Sequence, residues 1–296
     1  MEPFATRLRN APVLVGDGAT GTLLMERGLP PGRPPEEAML THPDWVGDVA
    51  RRYAEAGADV VETNTFGASP LKLALAGLEG EVERVNREAV RLAREAVGER
   101  AYVVGSCGPC GRLLEPYGDA TRAVVRAGFL TQIGVLAASG VDAVFVETIT
   151  DLEEAKLAVG AAKEAAPHLP VAVTLTFERT PRGFFTMMGN GVAEAAAGLA
   201  EAGADAVGSN CGNGIEEMIG IARELRRRSA LPLVIQPNAG LPRTRDGRLV
   251  YDDSPAFLAE RARELVEIGV ALIGGCCGTG PDHIRALRAM VDGDRP

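Results

Sequence analysis

Histidine is almost missing from this chain of 296 residues, which has only His42, His168 and His283, one tryptophan and 4% aromatic residues. So little imidazole makes a Ser-His-Asp triad a poor candidate. Lysine is as scarce, at Lys72, Lys156 and Lys163, and no Lys/Arg-rich run occurs. With a net charge of -9 and a pI near 5.1, the chain lacks the clustered cations that phosphate backbones and anionic lipid demand. We expect no nucleic-acid and no membrane partner. No apolar run reaches the roughly 18 residues of a membrane span. Met1 to Asn10 is mixed and charged, without the apolar segment of a signal peptide. A cytoplasmic location is the expectation. Five cysteines in so long a chain argue for metal or redox use over a disulfide framework. Gly16-Asp-Gly-Ala-Thr-Gly21 has Gly-x-Gly-x-x-Gly spacing after the first apolar run, so a doubly wound open sheet is the structural alternative to a barrel.

What is present is a repeated phrase. Glu55-Ala-Gly-Ala-Asp-Val-Val-Glu-Thr-Asn64 returns as Glu201-Ala-Gly-Ala-Asp-Ala-Val-Gly-Ser-Asn210, with variants at 138–147 and 267–275. In each, a helical pattern ends at a glycine suited to a left-handed C-cap, then a β-branched run and polar residues follow. Eight such runs predict strands at about 12–16, 58–63, 101–106, 141–147, 170–176, 204–209, 231–236 and 270–275. Helical patterns fall near 46–56, 81–97, 120–139, 151–165, 191–202, 214–229 and 254–268, and a last helix opens at Pro281. The strands are continuously apolar, as in a parallel sheet covered by helices. Eight β–α units predict a single-domain (β/α)8 TIM barrel over residues 1–296. Residues 18–45 and 177–190 read as long loops over its catalytic face.

A barrel of this kind carries its chemistry just beyond the strands. Asp17 follows strand one, and Glu62, Thr63 and Asn64 follow strand two. Ser106 and Cys107 come after strand three, Glu147 after strand four, Asn210 and Cys211 after strand six, Gln236 and Asn238 after strand seven, and Cys276 and Cys277 after strand eight. Cys211 and the Cys276–Cys277 pair are both wrapped in glycine. Consecutive strand residues face opposite ways, so the pair can share one metal only where the strand has ended. Three thiolates suit zinc, and an open fourth position marks a catalytic site. A thiol bound there loses its proton at neutral pH, which favours attack by sulfur on carbon. Asp17 and Glu147 are candidates to hold an amino acid. Cys107 and Cys110 form a Cys-x-x-Cys that reads as two incidental thiols, with a second metal or redox site as the alternative. His168 reads as surface, and His283 as packing at the start of the last helix.

The strings Gly16-Asp-Gly-Ala-Thr-Gly21, Thr63-Asn-Thr-Phe-Gly67, Gly105-Ser-Cys-Gly-Pro-Cys-Gly111, Val146-Glu-Thr148, Gly208-Ser-Asn-Cys-Gly212, Pro237-Asn-Ala-Gly-Leu-Pro242 and Gly274-Gly-Cys-Cys-Gly-Thr279 resemble, in order, the motifs of zinc-dependent homocysteine S-methyltransferases. The resemblance implies a TIM barrel with Zn2+ on Cys211, Cys276 and Cys277. It implies recognition of the amino and carboxylate ends of homocysteine by Asp17, Gly18 and Glu147, and a pocket lined by Phe66, Ser106 and Asn210. Pro237 to Pro242 is most similar to the homocysteine-binding module of cobalamin-dependent methionine synthase. The expected reaction is methyl transfer to homocysteine, giving methionine, from a methylcobalamin or 5-methyltetrahydrofolate-linked donor on a cobalamin- or folate-binding partner. A free donor (S-methylmethionine, betaine or S-adenosylmethionine) is the alternative within the class. A non-catalytic zinc or thiol redox protein is the alternative outside it.

Overall fold

The computed structural model describes residues 1–10, 12–30, 32–245 and 248–293. Eight parallel strands form its sheet: β1 (Leu14–Val15), β2 (Val60–Glu62), β3 (Tyr102–Cys107), β4 (Ala143–Ile149), β5 (Val171–Leu175), β6 (Ala206–Asn210), β7 (Leu233–Gln236) and β8 (Leu272–Ile273). Each neighbours the next, and β8 returns to β1. The seam between β1 and β2 is closed by a parallel bridge of Gly16 to Val60 and by the Asp59 N–H donating to the Val15 carbonyl at 2.7 Å. This is the expected (β/α)8 barrel. Its outer helices are α1 (Pro43–Glu55), α2 (Val82–Val97), α3 (Arg122–Ala138), α4 (Leu152–Ala165), α5 (Val192–Ala202), α6 (Ile215–Arg228), α7 (Pro255–Ile268) and α8 (Pro281–Gly293).

The repeated phrase has a double structural cause. Gly57, Gly140, Gly203 and Gly269 end four helices at φ 97°, 88°, 96° and 83°, in the region where a Cβ is unwelcome. The aspartates two residues after the first three are staples. Asp59 accepts from Val15 N–H and Arg288, Asp142 from Val103 N–H and Arg94, and Asp205 from Val171 N–H and Lys163. Each carboxylate thus ties its own strand to the preceding one and to a helix cation. The fourth repeat has Ala271 at that position and carries no such staple.

Alternation along the strands separates two cores. Leu14, Val60, Tyr102, Val104, Ala143, Phe145, Ala172, Ala206, Val234 and Leu272 fill the barrel, while Val15, Val61, Val103, Val144, Val173, Val207, Ile235 and Ile273 pack outward against the helices. A short N-terminal helix, Phe4–Arg9, plugs the lower mouth. Its Phe4 meets Tyr102 edge-on at 5.1 Å and Phe145 at 6.1 Å, and Leu8 joins the same cluster.

Some boundaries differ from expectation. β1 and β8 are two residues each: Gly274 still donates to Ile235 O at 3.1 Å, in step with β7, but Gly275 donates to Asp17 O at 2.8 Å, one residue out of step with β1. Residues 18–45 are not mere loop. They hold helices Thr20–Glu26 and Ala38–Thr41 and a helical turn Pro35–Glu37, and α1 starts at Pro43, with proline in the first turn. Residues 177–190 contain a hairpin, Glu178–Thr180 with Gly183–Phe185, and a second hairpin pairs Arg243–Arg245 with Arg248–Val250. Both are built from strands of three residues, too short to stand out in the sequence. Among the described residues no helix is long and apolar enough to cross a membrane.

Candidate metal centre and polar pocket

The three cysteines singled out by their glycine-rich settings meet at the C-terminal mouth of the barrel. Their sulfurs lie within 4.8 Å of one another, the one such metal-capable group among the described residues. Cys211 and Cys277 are 3.8 Å apart, sulfur to sulfur. The strand has indeed ended before the pair, since β8 stops at Ile273. Cys276 N–H then donates to Pro237 O at 2.8 Å and Ala239 N–H to Cys277 O at 3.0 Å. These bonds lash the turn to the segment after β7. Thr279 closes it from the other side, its hydroxyl donating to Cys276 O at 2.6 Å.

Three touching thiols cannot all ionise unaided. Hydrogen bonds from Cys211 and Cys276 draw the Cys277 thiol down to about 3. Bonding to Cys211 and Cys277, together with burial, pushes Cys276 well up. At Cys211 the bond from Cys276 pulls downward, but the bond to Cys277 and burial prevail and raise it to about 11. One negative charge is thus shared over three sulfurs. A thiophilic divalent cation removes that conflict, and an all-sulfur set fits zinc. Tyr251 also hydrogen-bonds Cys277. Its ring occupies the place a Cβ on Gly278 would need, 2.3 Å away.

Beside the thiols the inward parity of the strands continues into polar residues. Val60 faces in, hence Glu62; Val104, hence Ser106; Phe145, hence Glu147; Val234, hence Gln236. Asp17 Oδ2 accepts from Glu62 N–H at 2.9 Å, and Glu62 Oε1 from the Gln236 amide at 2.7 Å. Glu147 accepts from the Ser106 hydroxyl and, at 3.0 Å, from the Asn210 amide. Three carboxylates therefore share one pocket with neutral hydrogen-bond partners. Burial, then the charge of Glu62, pushes both Asp17 and Glu147 well above the ordinary carboxylate range. The buried Gln236 Oε1 has no partner among the described residues. Such an acceptor-rich pocket suits a cation with several N–H donors, an ammonium group among them.

The remaining expected residues lie in the same neighbourhood. Gly18 abuts Thr279, where a Cβ would fall 2.7 Å from the hydroxyl. Phe66 lies across Gly108, whose Cβ would sit 2.6 Å from the ring, so the glycine-rich turn after β3 is a seat for an aromatic. Glu62, which the sequence places at a strand end, and Thr148, which it places in a motif without a role, join the site through their hydrogen bonds, as does Tyr251, which the sequence does not single out. Strand parity from Val60 turns Glu62 inward; Tyr251, beyond a hairpin, had no signal.

Cys107 and Cys110 stand outside the thiol cluster. Cys107 is fully buried and its thiol is driven far up by burial. Burial and Glu154 push Cys110 up to about 12. They are packed thiols, as the simpler reading had it. His168 is exposed. His283 Nδ1 accepts from Gly280 N–H at 3.2 Å and its Nε2 bonds Asp253 O at 3.0 Å, an α8-terminal packing role.

Comparison with known proteins places this geometry. The family model for homocysteine S-methyltransferase matches residues 14–291. Methionine synthases of Mycobacterium leprae and Mycobacterium tuberculosis are 37% and 36% identical in alignments of 298 positions that cover 94% of this chain. The chain spans about a quarter of their length (24% of each). The metallated form of the homocysteine methyltransferase MmuM from Escherichia coli superposes with a TM-score of 0.81 at 25% identity, over 97% of this chain and 99% of that one.

Proposed function

Because the chain belongs to the homocysteine S-methyltransferase family, we propose that it transfers a methyl group to the thiol of homocysteine, yielding methionine. The observation that carries this reading is the convergence of Cys211, Cys276 and Cys277 within 4.8 Å at the mouth where Asp17, Glu62 and Glu147 also gather. Zn2+ held by the three cysteines would supply the Lewis acidity that keeps a thiol deprotonated at neutral pH.

The chain's own residues supply the rest. Glu147 Oε2 and Asp17, with Glu62 behind them, receive the ammonium group, which brings the countercharge this pocket lacks. Its arrival lets the raised carboxyls release their protons. Ser106 and Asn210 keep Glu147 turned toward the pocket through their bonds to its two oxygens. The backbone at Asp17 and Gly18 takes the carboxylate, and Phe66 shields the carbon chain from water. With the amino-acid end anchored, the sulfur is presented outward to the methyl donor for in-line displacement.

The donor we favour is methylcobalamin, free or on a cobalamin- or folate-binding partner. The identity to methionine synthases and the Pro237-Asn-Ala-Gly-Leu-Pro242 string support it. A free donor such as S-methylmethionine, betaine or S-adenosylmethionine is the second reading, supported by the likeness to MmuM along 99% of that chain. The non-catalytic redox reading is weakened by Cys107 and Cys110, whose buried thiols stay protonated. Incubating the zinc-loaded chain with homocysteine and each donor in turn, and quantifying methionine, tests the proposal. Methionine from none of them would overturn it.

A further inference from the structure

At two strand ends the backbone enters the left-handed region without glycine, at Thr148 (φ 59°) and Cys211 (φ 58°). A β-branched threonine avoids this region unless its surroundings impose it. The imposition is visible in the sheet. Val146 of β4 pairs with Val173 of β5, yet Ile149 pairs with Leu175, so β4 carries one extra residue. That bulge re-aims the chain at Thr148, toward Asn210.

Thr148 grips the Asn210 carboxamide at both ends. Its N–H donates to Asn210 Oδ1 at 2.8 Å, and its hydroxyl accepts from Asn210 Nδ2 at 2.8 Å. The other half of the carboxamide accepts from the Thr174 hydroxyl at 2.8 Å and donates to Glu147 Oε2 at 3.0 Å. Both N–H donors and both acceptor positions are thereby used. The Thr148 N–H can only donate, which fixes the orientation of the amide. Thr148 is the chain neighbour of Glu147, and Asn210 that of Cys211. The grip therefore joins the ends of β4 and β6 across the intervening β5.

We propose that Thr148 is a positioning residue that sets the span between the ammonium-binding carboxylate, Glu147, and the metal-binding sulfur, Cys211. This rests on the function proposed above. Homocysteine carries its ammonium and thiol a set distance apart, so a site that grasps both needs that distance held. A thiol with no ammonium has no such need.

The test compares wild type, Thr148→Val and Thr148→Ser. Zinc affinity is read by chelator competition, and homocysteine and propanethiol binding by titration at saturating zinc. Thr148→Val removes the hydroxyl at nearly constant shape. It is expected to weaken zinc and homocysteine by about tenfold each while propanethiol binding holds, and Thr148→Ser is expected to restore both. Thermal melts check folding, and Thr148→Ala takes the place of a valine variant that does not melt cooperatively. Unchanged zinc and homocysteine affinity in Thr148→Val, equal losses for homocysteine and propanethiol, or a serine variant as weak as the valine one would each overturn the assignment. A wild-type chain that takes up zinc but not homocysteine overturns the functional reading instead, and zinc affinity alone then decides the role of Thr148.

Discussion

Cys211 and Cys277, 66 positions apart in the chain, hold their sulfurs 3.8 Å from each other. No regular element joins them directly; β6, β7 and β8 must all pair in register before they meet. Cys211→Ala and Cys277→Ala are each expected to lose stoichiometric zinc and methyl transfer together, with the far-ultraviolet circular dichroism of the barrel retained. Metal analysis beside an activity assay checks this. A variant that keeps full zinc yet makes no methionine would separate the two properties and count against the cluster as the metal site.

The metal-free thiols should differ sharply in reactivity. Cys277 is drawn down to about 3 by its sulfhydryl neighbours, while Cys110 is held up at about 12 by burial and Glu154. Iodoacetamide near neutral pH is expected to modify Cys277 first and Cys107 and Cys110 last, and added zinc should protect Cys277. Peptide mapping by mass spectrometry reads the order. Early labelling of Cys110 would revive a redox role for the Cys-x-x-Cys.

The carboxylate pocket makes stability depend on pH in an unusual direction. Asp17 and Glu147 titrate above their ordinary values of 3.8 and 4.5, so the folded chain binds protons that the unfolded chain has given up. Their contribution is whole below the unfolded values and is lost as pH rises through the raised ones. Ligand-free protein should therefore lose stability as pH rises above the ordinary carboxylate range. Glu147→Gln should flatten that slope and melt no lower than wild type near neutrality, while binding homocysteine more weakly. Melting curves across the range, with homocysteine titrations, test both halves; an unchanged slope would mean that Glu147 is not a proton holder.

Asp205 offers a control far from the chemistry. It accepts from Val171 N–H at 2.8 Å and from Lys163 at 2.6 Å. Asp205→Ala is expected to cost about 1–2 kcal/mol of unfolding free energy, chiefly by leaving that N–H unpaired, with zinc and homocysteine affinity unchanged. Urea titration reports the first and calorimetry the second.

Much of this could be seen in the residues themselves. The Gly-x-Asp phrase announced helix, turn and buried strand, because only glycine tolerates the left-handed cap and only a short acid reaches the neighbouring strand. The thiol cluster was legible because cysteine is rare here and glycine surrounds it twice. Glu62 is legible as a strand-end residue but not as a partner of Asp17 and Gln236, since facing direction follows only once a strand's register is known. Thr148 stands in the Val146-Glu-Thr148 string, yet nothing in that string shows what it does. Its importance lies in a bulge and a positive φ, and threonine is the last residue whose type would advertise either. Tyr251 reaches Cys277 from beyond a hairpin that its short strands conceal.

The helix Phe4–Arg9 finishes the packing that fills the barrel, with Phe4 and Leu8 as its lowest layer. Traffic has a single doorway. If homocysteine sits deepest, on the carboxylates, then whatever delivers the methyl group must queue behind it, and methionine must retrace the path by which its precursor came in. The expected order under the proposed function is amino acid first and donor second, which product-inhibition patterns would read.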